Sequence, residues 1–135
     1  MPSLRRSVLD SYAVLAFLFQ EKGYEKVLDL FEKAARANQV LFIAAPNWAE
    51  VRYTVERRAG AGRWIEARHK LLGLPIEVVP ADQPLAELAG EIKAARKMSL
   101  ADCFAAALAK QKKADLYTGD PEFRSVEREI KLVWI

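Results

Sequence analysis

Short apolar segments alternate with longer segments of helical periodicity along this chain. Short runs bounded by turn residues favour strands, whereas apolar residues spaced three and four apart favour helices. We predict strands at residues 7–9, 40–44, 76–79, 116–118 and 131–134. Helices are predicted at residues 12–19, 24–38, 47–59, 62–72, 84–97, 100–112 and 121–128. Strands that alternate with helices are typical of an α/β domain with a mainly parallel central sheet.

The length and composition of the chain indicate one globular domain. A chain of 135 residues buries roughly two-thirds of the surface that its unfolded state exposes. Hydrophobic residues make up 52% of the chain and charged residues 29%, which argues against a disordered chain. We therefore predict a single domain over residues 1–135.

No segment of the sequence predicts a membrane anchor. The longest apolar run, residues 13–19, is far shorter than the ~20 residues that cross a bilayer. The first ten residues include Asp10 and lack the pattern of a signal peptide. We expect a cytoplasmic protein that does not bind membranes.

Cys103 is the only cysteine, which excludes an internal disulfide and a cysteine metal cluster, and its apolar neighbours predict that it is buried. The formal net charge of +3 slightly favours a polyanionic partner. His69 lies between Arg68 and Lys70 and is expected on the surface.

Two helices show apolar stripes that we assign to the core. The stripes are Val27, Leu28, Leu30 and Phe31 in one helix, and Leu100, Phe104, Ala107 and Leu108 in the other. Gly60 and Gly62 predict a break between two helices. Trp48, Tyr53 and Trp64 lie on helices, where core packing is the ordinary expectation and a place on a partner surface is the alternative. Trp64, beside the break, is the better candidate for exposure.

Four acidic residues follow strands or begin helices, and each has an ordinary structural explanation. Asp10 and Asp120 are placed to cap helices, the latter with Pro121 after it. Asp102 has the spacing of a capping box with Ser99, and Glu50 lies in an early helical turn that favours negative charge.

The joint placement of the four acids predicts a metal site. Asp10 and Asp120 follow predicted strands, Glu50 lies in the helix after the second strand, and open α/β sheets bind ligands beyond the carboxyl ends of their strands. Two carboxylates 4 Å apart repel each other by about 4 kcal/mol at an effective dielectric of 20, so a cluster of them needs a cation. Oxygen ligands without His or Cys favour Mg²⁺, with Mn²⁺ as a second choice.

Four segments of the chain resemble the PIN-domain nuclease family, most closely the VapC-type toxins of type II toxin–antitoxin pairs. The segments are VLDSYAVLA at 8–16, NWAEV at 47–51, SLADCFAAA at 99–107 and LYTGDPEF at 116–123. They occur in the order and spacing of that family. The resemblance therefore covers nearly the whole chain and implies the PIN fold, a three-layer α/β/α domain with about five strands.

The resemblance also implies an activity, a cofactor and partners. It places the catalytic and metal-binding roles on Asp10, Glu50, Asp102 and Asp120, with Asp10 and Asp102 as direct Mg²⁺ ligands. Thr118 matches a hydroxyl residue that positions a ligand or water. The implied reaction is metal-dependent hydrolysis of RNA phosphodiester bonds, and the implied assembly is a homodimer that binds a cognate antitoxin.

Other functions remain open from the sequence. The chain could be an RNA-processing nuclease outside any toxin pair, or an RNA-binding PIN module that does not cleave. A phosphoacceptor signalling domain has a similar length and strand order but requires two adjacent acids after its first strand, and here Ser11 follows Asp10. The basic residues that we consider for phosphate binding are Arg57, Arg58, Lys110 and Lys112.

Overall fold

Five parallel strands form the centre of the molecule. The structure, a computed structural model, describes residues 5–135. Within that range the sheet order is β3-β2-β1-β4-β5, and each neighbouring pair is parallel. The strands are β1 (Ser7–Leu9), β2 (Leu41–Ala44), β3 (Ile76–Val79), β4 (Asp115–Thr118) and β5 (Leu132–Trp134). The predicted α/β fold with about five strands is confirmed.

Helices connect the strands and cover both faces of the sheet. They are α1 (Ser11–Leu18), α2 (Tyr24–Ala37), α3 (Ala45–Ala59), α4 (Ala61–Leu72), α5 (Gln83–Ala95) and α6 (Leu100–Lys112). A 3₁₀ helix, Pro121–Val126, follows β4. None of the helices in the described range is long and apolar enough to cross a membrane.

Alternate residues of the strands pack in two separate core clusters. Val8 packs with α5, α6 and the 3₁₀ helix, whereas Leu9 packs with residues of α1, α2, α3 and α4. In β2, Ala44 enters the first cluster and Ile43 enters the second. Because successive side chains of a strand point to opposite faces, this alternation produces a three-layer α/β/α arrangement.

Several sequence predictions are wrong in detail. Leu28 and Leu100 were assigned to the core, but their side chains are 38% and 56% exposed because the buried faces of α2 and α6 are formed by their neighbours. The position of Trp64 beside the glycine break favours exposure, yet its side chain is 3% exposed and packs edge-to-face on Trp48 at 5.4 Å between ring centroids, in agreement with the alternative of core packing. The last helix is a 3₁₀ helix that ends at Val126 rather than an α-helix that ends at residue 128.

Other predictions about single residues are confirmed. Cys103 is fully buried in the first cluster, and His69 is exposed. The break between α3 and α4 consists of Gly60 alone, whose φ of 91° is a conformation that favours glycine.

The sheet order determines where a site can form. The chain passes from β1 through β2 to β3 on one side of the sheet and then returns to place β4 and β5 on the other side of β1. Connections therefore leave the carboxyl ends of β1 and β4 in opposite directions, and this is the position at which open α/β sheets bind ligands. Asp10 directly follows β1 and Asp120 lies two residues after β4.

Candidate functional site

Asp10 is a buried carboxylate at the start of α1. Its Oδ1 accepts a hydrogen bond of 2.8 Å from the backbone N–H of Ala13, so the predicted N-cap is present. Its Oδ2 accepts a second hydrogen bond, of 2.5 Å, from the hydroxyl of Thr118 at the end of β4. Asp10 is 1% exposed, and its carboxyl group is therefore fixed on both oxygens.

Thr118 connects Asp10 to Asp120. The Thr118 hydroxyl is fully buried, donates to Asp10 and accepts a 3.0 Å hydrogen bond from the backbone N–H of Asp120. Asp120 in turn caps the 3₁₀ helix, since its Oδ1 accepts from the N–H of Glu122 at 2.9 Å. The segment after β4 is thus held at the carboxyl end of β1.

Glu50 is brought to the same place by Ser11. Glu50 lies in the second turn of α3 and is half-buried, and the hydroxyl of Ser11 in α1 donates to its Oε1 at 2.7 Å. The carboxylate of Glu50 is close enough to Asp10 for its charge to raise the pKa of Asp10.

Asp102 completes the group from the first turn of α6. Ser99 caps that helix by accepting from the N–H of Asp102 at 3.1 Å, as the capping interpretation predicts. The side chain of Asp102 instead lies near those of Asp120 and Glu122. Carboxylate oxygens of these three residues all lie within 4.8 Å of one another.

The pKa values of two carboxyl groups show the cost of this crowding. The pKa of Asp10 is raised from 3.8 to about 7, chiefly by burial; the hydrogen bonds from Thr118 and Ala13 act to lower it, and the charges of Asp120 and Glu50 act to raise it. Burial, the charge of Asp120, hydrogen bonds to Glu122 and Asp120 and the charge of Asp10 together raise the pKa of Asp102 to about 8. A bound cation would relieve this repulsion.

Three residues of the site were not singled out in the sequence. Glu122 is an exposed fifth acid, and only its position two residues after Asp120 could have indicated it. Ser11 holds Glu50, as described above. Asn47 is fully buried and donates to the carbonyl oxygen of Ala101 at 3.0 Å, which ties α3 to α6 directly beside Asp102.

The four basic residues considered for phosphate binding lie away from these acids along their helices. Lys110 and Lys112 are about 12 and 15 Å from Asp102 along the axis of α6, given a rise of 1.5 Å per residue. Arg57 and Arg58 lie in the last turn of α3, roughly 10 Å beyond Glu50 along that axis. Arg58 pairs with Glu21 at 2.9 Å, and Arg57 covers the ring of Tyr53. The described contacts therefore give these four residues no part in neutralising the acids.

Comparison with known proteins identifies the family. A family model described as "PIN domain" matches residues 7–129. This match includes all of the acids described above and most of the chain. The chain belongs to the PIN domain family. This membership supports the prediction of a nuclease. Comparison with curated protein sequences finds no match.

Solved structures with the same fold cover nearly all of this PIN domain. DNA-bound VapBC from Salmonella typhimurium aligns with a TM-score of 0.75 at 18% identity, over 96% of this chain and 98% of that one. VapBC2 from Rickettsia felis, bound to a promoter DNA fragment, gives 0.73 at 17% identity over 94% and 96%. VapC20 from Mycobacterium tuberculosis, a sarcin–ricin loop cleaving toxin, gives 0.72 at 19% identity over 89% and 94%. These similarities establish the fold.

The donor set of this PIN domain fits a divalent cation that prefers oxygen ligands. The side chains that approach one another are carboxylates, and neither His69 nor Cys103 is among them. Mg²⁺ and Mn²⁺ bind such oxygen sets, and Mg²⁺ is typically held by one or two carboxylates together with water and substrate phosphate. Among residues 5–135, no cation is a main contributor to the pKa values of Asp10 and Asp102, and the raised values are those expected of a carboxylate cluster without balancing positive charge.

Proposed function

We propose that this protein is a Mg²⁺-dependent endoribonuclease that hydrolyses RNA phosphodiester bonds and acts as the toxin of a toxin–antitoxin pair. The observation that best supports this proposal is the meeting of carboxyl groups from four separate segments at the carboxyl ends of β1 and β4, within a PIN domain. Their mutual repulsion does not stabilise the fold, so we infer a role in chemistry.

We assign the metal-binding and catalytic roles to Asp10, Glu50, Asp102 and Asp120, with Asp10 and Asp102 as direct ligands. Thr118 and Ser11 act as positioning residues because their hydroxyls hold the carboxylates of Asp10 and Glu50. When bound, Mg²⁺ or Mn²⁺ supplies Lewis-acid chemistry, which withdraws charge from the scissile phosphate and favours deprotonation of water. No side chain of the protein needs to form a covalent intermediate.

The proposed partners follow from the similar structures. Two of them are VapBC complexes and a third is a toxin that cleaves the sarcin–ricin loop. By analogy we propose RNA as the substrate and a cognate antitoxin as the inhibitor. The homodimer implied by the family resemblance and the cytoplasmic location expected from the sequence stay predictions.

The experiment that tests the proposed function is cleavage of a mixed pool of structured RNA by the purified protein. We expect cutting with Mg²⁺ or Mn²⁺ and no cutting with EDTA. Asp10→Asn and Asp102→Asn should each lose at least about 100-fold in rate, because removal of a ligand should cost no less than the roughly 10- to 100-fold typical when a residue that supports a ligand is removed. His69→Gln serves as a matched control because His69 is exposed and outside the acidic group. Unchanged cleavage by both Asp variants would refute the metal-dependent mechanism.

Metal binding has a readout that does not depend on cleavage. Mg²⁺ or Mn²⁺ should raise the melting temperature of the wild-type protein and have little effect on the Asp102→Asn variant, because ligand binding to the folded state stabilises it. RNA binding without any cutting, together with normal metal binding, would favour the non-cleaving PIN module.

A further inference from the structure

Tyr12 is an exposed aromatic residue at the edge of the acidic group. It follows Asp10 and Ser11 in the first turn of α1, and those two residues are buried whereas Tyr12 is 43% exposed. An exposed apolar side chain alone needs no explanation. This ring is notable because it lies two residues after Asp10 and packs against the segment that carries Asp120.

The ring of Tyr12 is held against the backbone of the segment that carries Asp120. A Cβ atom added to Gly119 would lie 2.2 Å from Cε1 of Tyr12 and 2.7 Å from its Cζ. Gly119 lies between Thr118 and Asp120 and is not among the glycines with positive φ. Its lack of a side chain therefore serves the close approach of the Tyr12 ring rather than an unusual backbone conformation.

We propose that the exposed part of the Tyr12 ring stacks on an unpaired base of the RNA next to the phosphate that is cut. This inference rests on the proposed function and specifies its substrate class. Aromatic side chains bind single-stranded nucleic acid by stacking on bases, and each base offers a π-face for this contact. Because one side of the ring already lies against Gly119, the ring loses less conformational freedom when a base binds than an uncontacted side chain would.

The same contact excludes regular duplex RNA as the preferred substrate. Bases inside a duplex stack on one another and have no free face for a protein ring. RNA recognition by stacking therefore selects loops, bulges and single strands. The substrate class that this ring fits is an RNA with at least one unstacked base adjacent to the cut.

Tyr53 provides a matched control. It is 45% exposed, similar to Tyr12, but the guanidinium of Arg57 lies 4.9 Å from the centroid of its ring. Tyr53 lies on α3, one turn beyond Glu50, and the atoms that an added Cβ at Gly119 would meet first belong to Tyr12 and not to Tyr53.

The first test measures binding without catalysis. A short fluorescein-labelled oligouridylate and an abasic oligomer of the same length are titrated with protein in EDTA and low salt. We expect Tyr12→Leu to weaken binding of the oligouridylate roughly 10-fold or more, as is typical when a stacking side chain is removed. Binding of the abasic oligomer should not change, and Tyr12→Phe and Tyr53→Leu should bind both oligomers like the wild type.

The second test uses an RNA that the wild-type protein cuts. Abasic sites are introduced singly at the nucleotides on either side of the cut, and kcat and KM are measured for wild type and Tyr12→Leu. We expect the effects on kcat/KM of removing one base and of removing the Tyr12 ring not to be additive, because each change removes the same contact. KM should carry most of the effect.

The outcomes separate this inference from the function on which it rests. Wild-type protein that does not bind the oligouridylate, or Tyr12→Leu that weakens binding of both oligomers equally, would overturn stacking. Additive effects in the cleavage test would also overturn it and would assign Tyr12 a purely structural role. If no RNA is cut by wild-type protein, the proposed function fails while the binding test still decides whether Tyr12 stacks.

Discussion

At the scale of single residues, the hydroxyl of Thr118 forms two hydrogen bonds within the acidic group. It donates to Asp10 and accepts from the backbone N–H of Asp120. Thr118→Val keeps the shape of the side chain but leaves the buried carboxylate with one hydrogen bond fewer and this N–H without its acceptor. We expect a loss of about 1–3 kcal/mol in the free energy of unfolding and a decrease of about 10- to 100-fold in metal affinity.

Urea denaturation and calorimetric titration with Mn²⁺ measure these two effects. Thr118→Ser is the control, since it keeps the hydroxyl and should stay close to wild type in metal affinity. Normal affinity in Thr118→Val would show that the hydroxyl has no positioning role.

The raised pKa values of Asp10 and Asp102 make the stability of the metal-free protein fall as the pH rises. Both groups have higher pKa values in the folded state than the ordinary value of 3.8, so the folded protein binds more protons than the unfolded chain at neutral pH. Their contribution is fully present below about pH 4 and is lost as the pH passes through about 7 and 8.

We expect the free energy of unfolding in EDTA to decrease by on the order of 2–4 kcal/mol between about pH 6 and pH 9. Asp10→Asn and Asp102→Asn should each flatten this dependence, because an amide does not titrate. An amide also preserves the N-cap at position 10. A stability that rises over this pH range would contradict the raised pKa values.

The sequence predicts which carboxylates belong to the site better than it predicts how they are held. Asp10, Glu50, Asp102 and Asp120 could be placed at strand ends and helix starts from local patterns alone. The bond between Thr118 and Asp10 joins residues 108 apart, and that between Ser11 and Glu50 joins residues 39 apart. Hydrogen bonds between residues so far apart depend on the order of the strands in the sheet, so they cannot be predicted from local spacing in the sequence.

At the scale of elements, replacement by alanine should have opposite effects on stability at Gly119 and at Gly90. In Gly119→Ala, the new Cβ would meet the ring of Tyr12, and we expect a loss of about 1–3 kcal/mol in stability. Gly90 lies inside α5 with no atom within 4 Å of an added Cβ. Gly90→Ala should therefore stabilise the protein by about 0.5–1 kcal/mol, because alanine favours a helix.

Urea midpoints of both variants, compared with wild type, measure these changes. Tyr12→Ala combined with Gly119→Ala should recover part of the lost stability, since the obstructing ring is removed. Equal midpoints for wild type and Gly119→Ala would contradict the close packing of Tyr12.

Local sequence signals predict helix starts correctly where they agree with burial. They predict side-chain exposure and helix type incorrectly where contacts between elements determine them. Leu100–Lys112 begins after the capping Ser99 as expected. The position of Trp64 beside the Gly60 break makes it the better candidate for exposure, whereas its ring packs on Trp48 across the α3–α4 hairpin. The predicted cap at Asp120 is present, but the helix that follows it is a 3₁₀ helix rather than an α-helix.

At the scale of the whole molecule, the sheet couples the two core clusters. Val8 and Leu9 are adjacent in β1 and enter opposite clusters, so neither layer of helices can separate without exposing the sheet. We therefore expect a single cooperative unfolding transition, as is usual for a domain of this size.

Tryptophans report on the two clusters separately. Trp64 and Trp48 belong to the side of α1 to α4, whereas Trp134 packs against the other cluster. Two variants leave tryptophan on one side of the sheet only: Trp134→Phe, and the double variant Trp48→Phe with Trp64→Phe. In each of them, the urea midpoint from tryptophan fluorescence should equal the midpoint from far-ultraviolet circular dichroism. Different midpoints in either variant would mean that one layer unfolds before the other.

The sheet order also governs when the site can exist during protein synthesis. Asp10 is among the first residues to be translated, but β1 pairs with β4 and the Asp10 carboxylate is held by Thr118. A ribosome must add 110 residues after Asp10 before Asp120 is part of the chain. A nascent chain that has reached α5 carries only two of the four carboxylates, so under the proposed function a toxin of this topology is harmless to the ribosome that is making it until translation has passed β4.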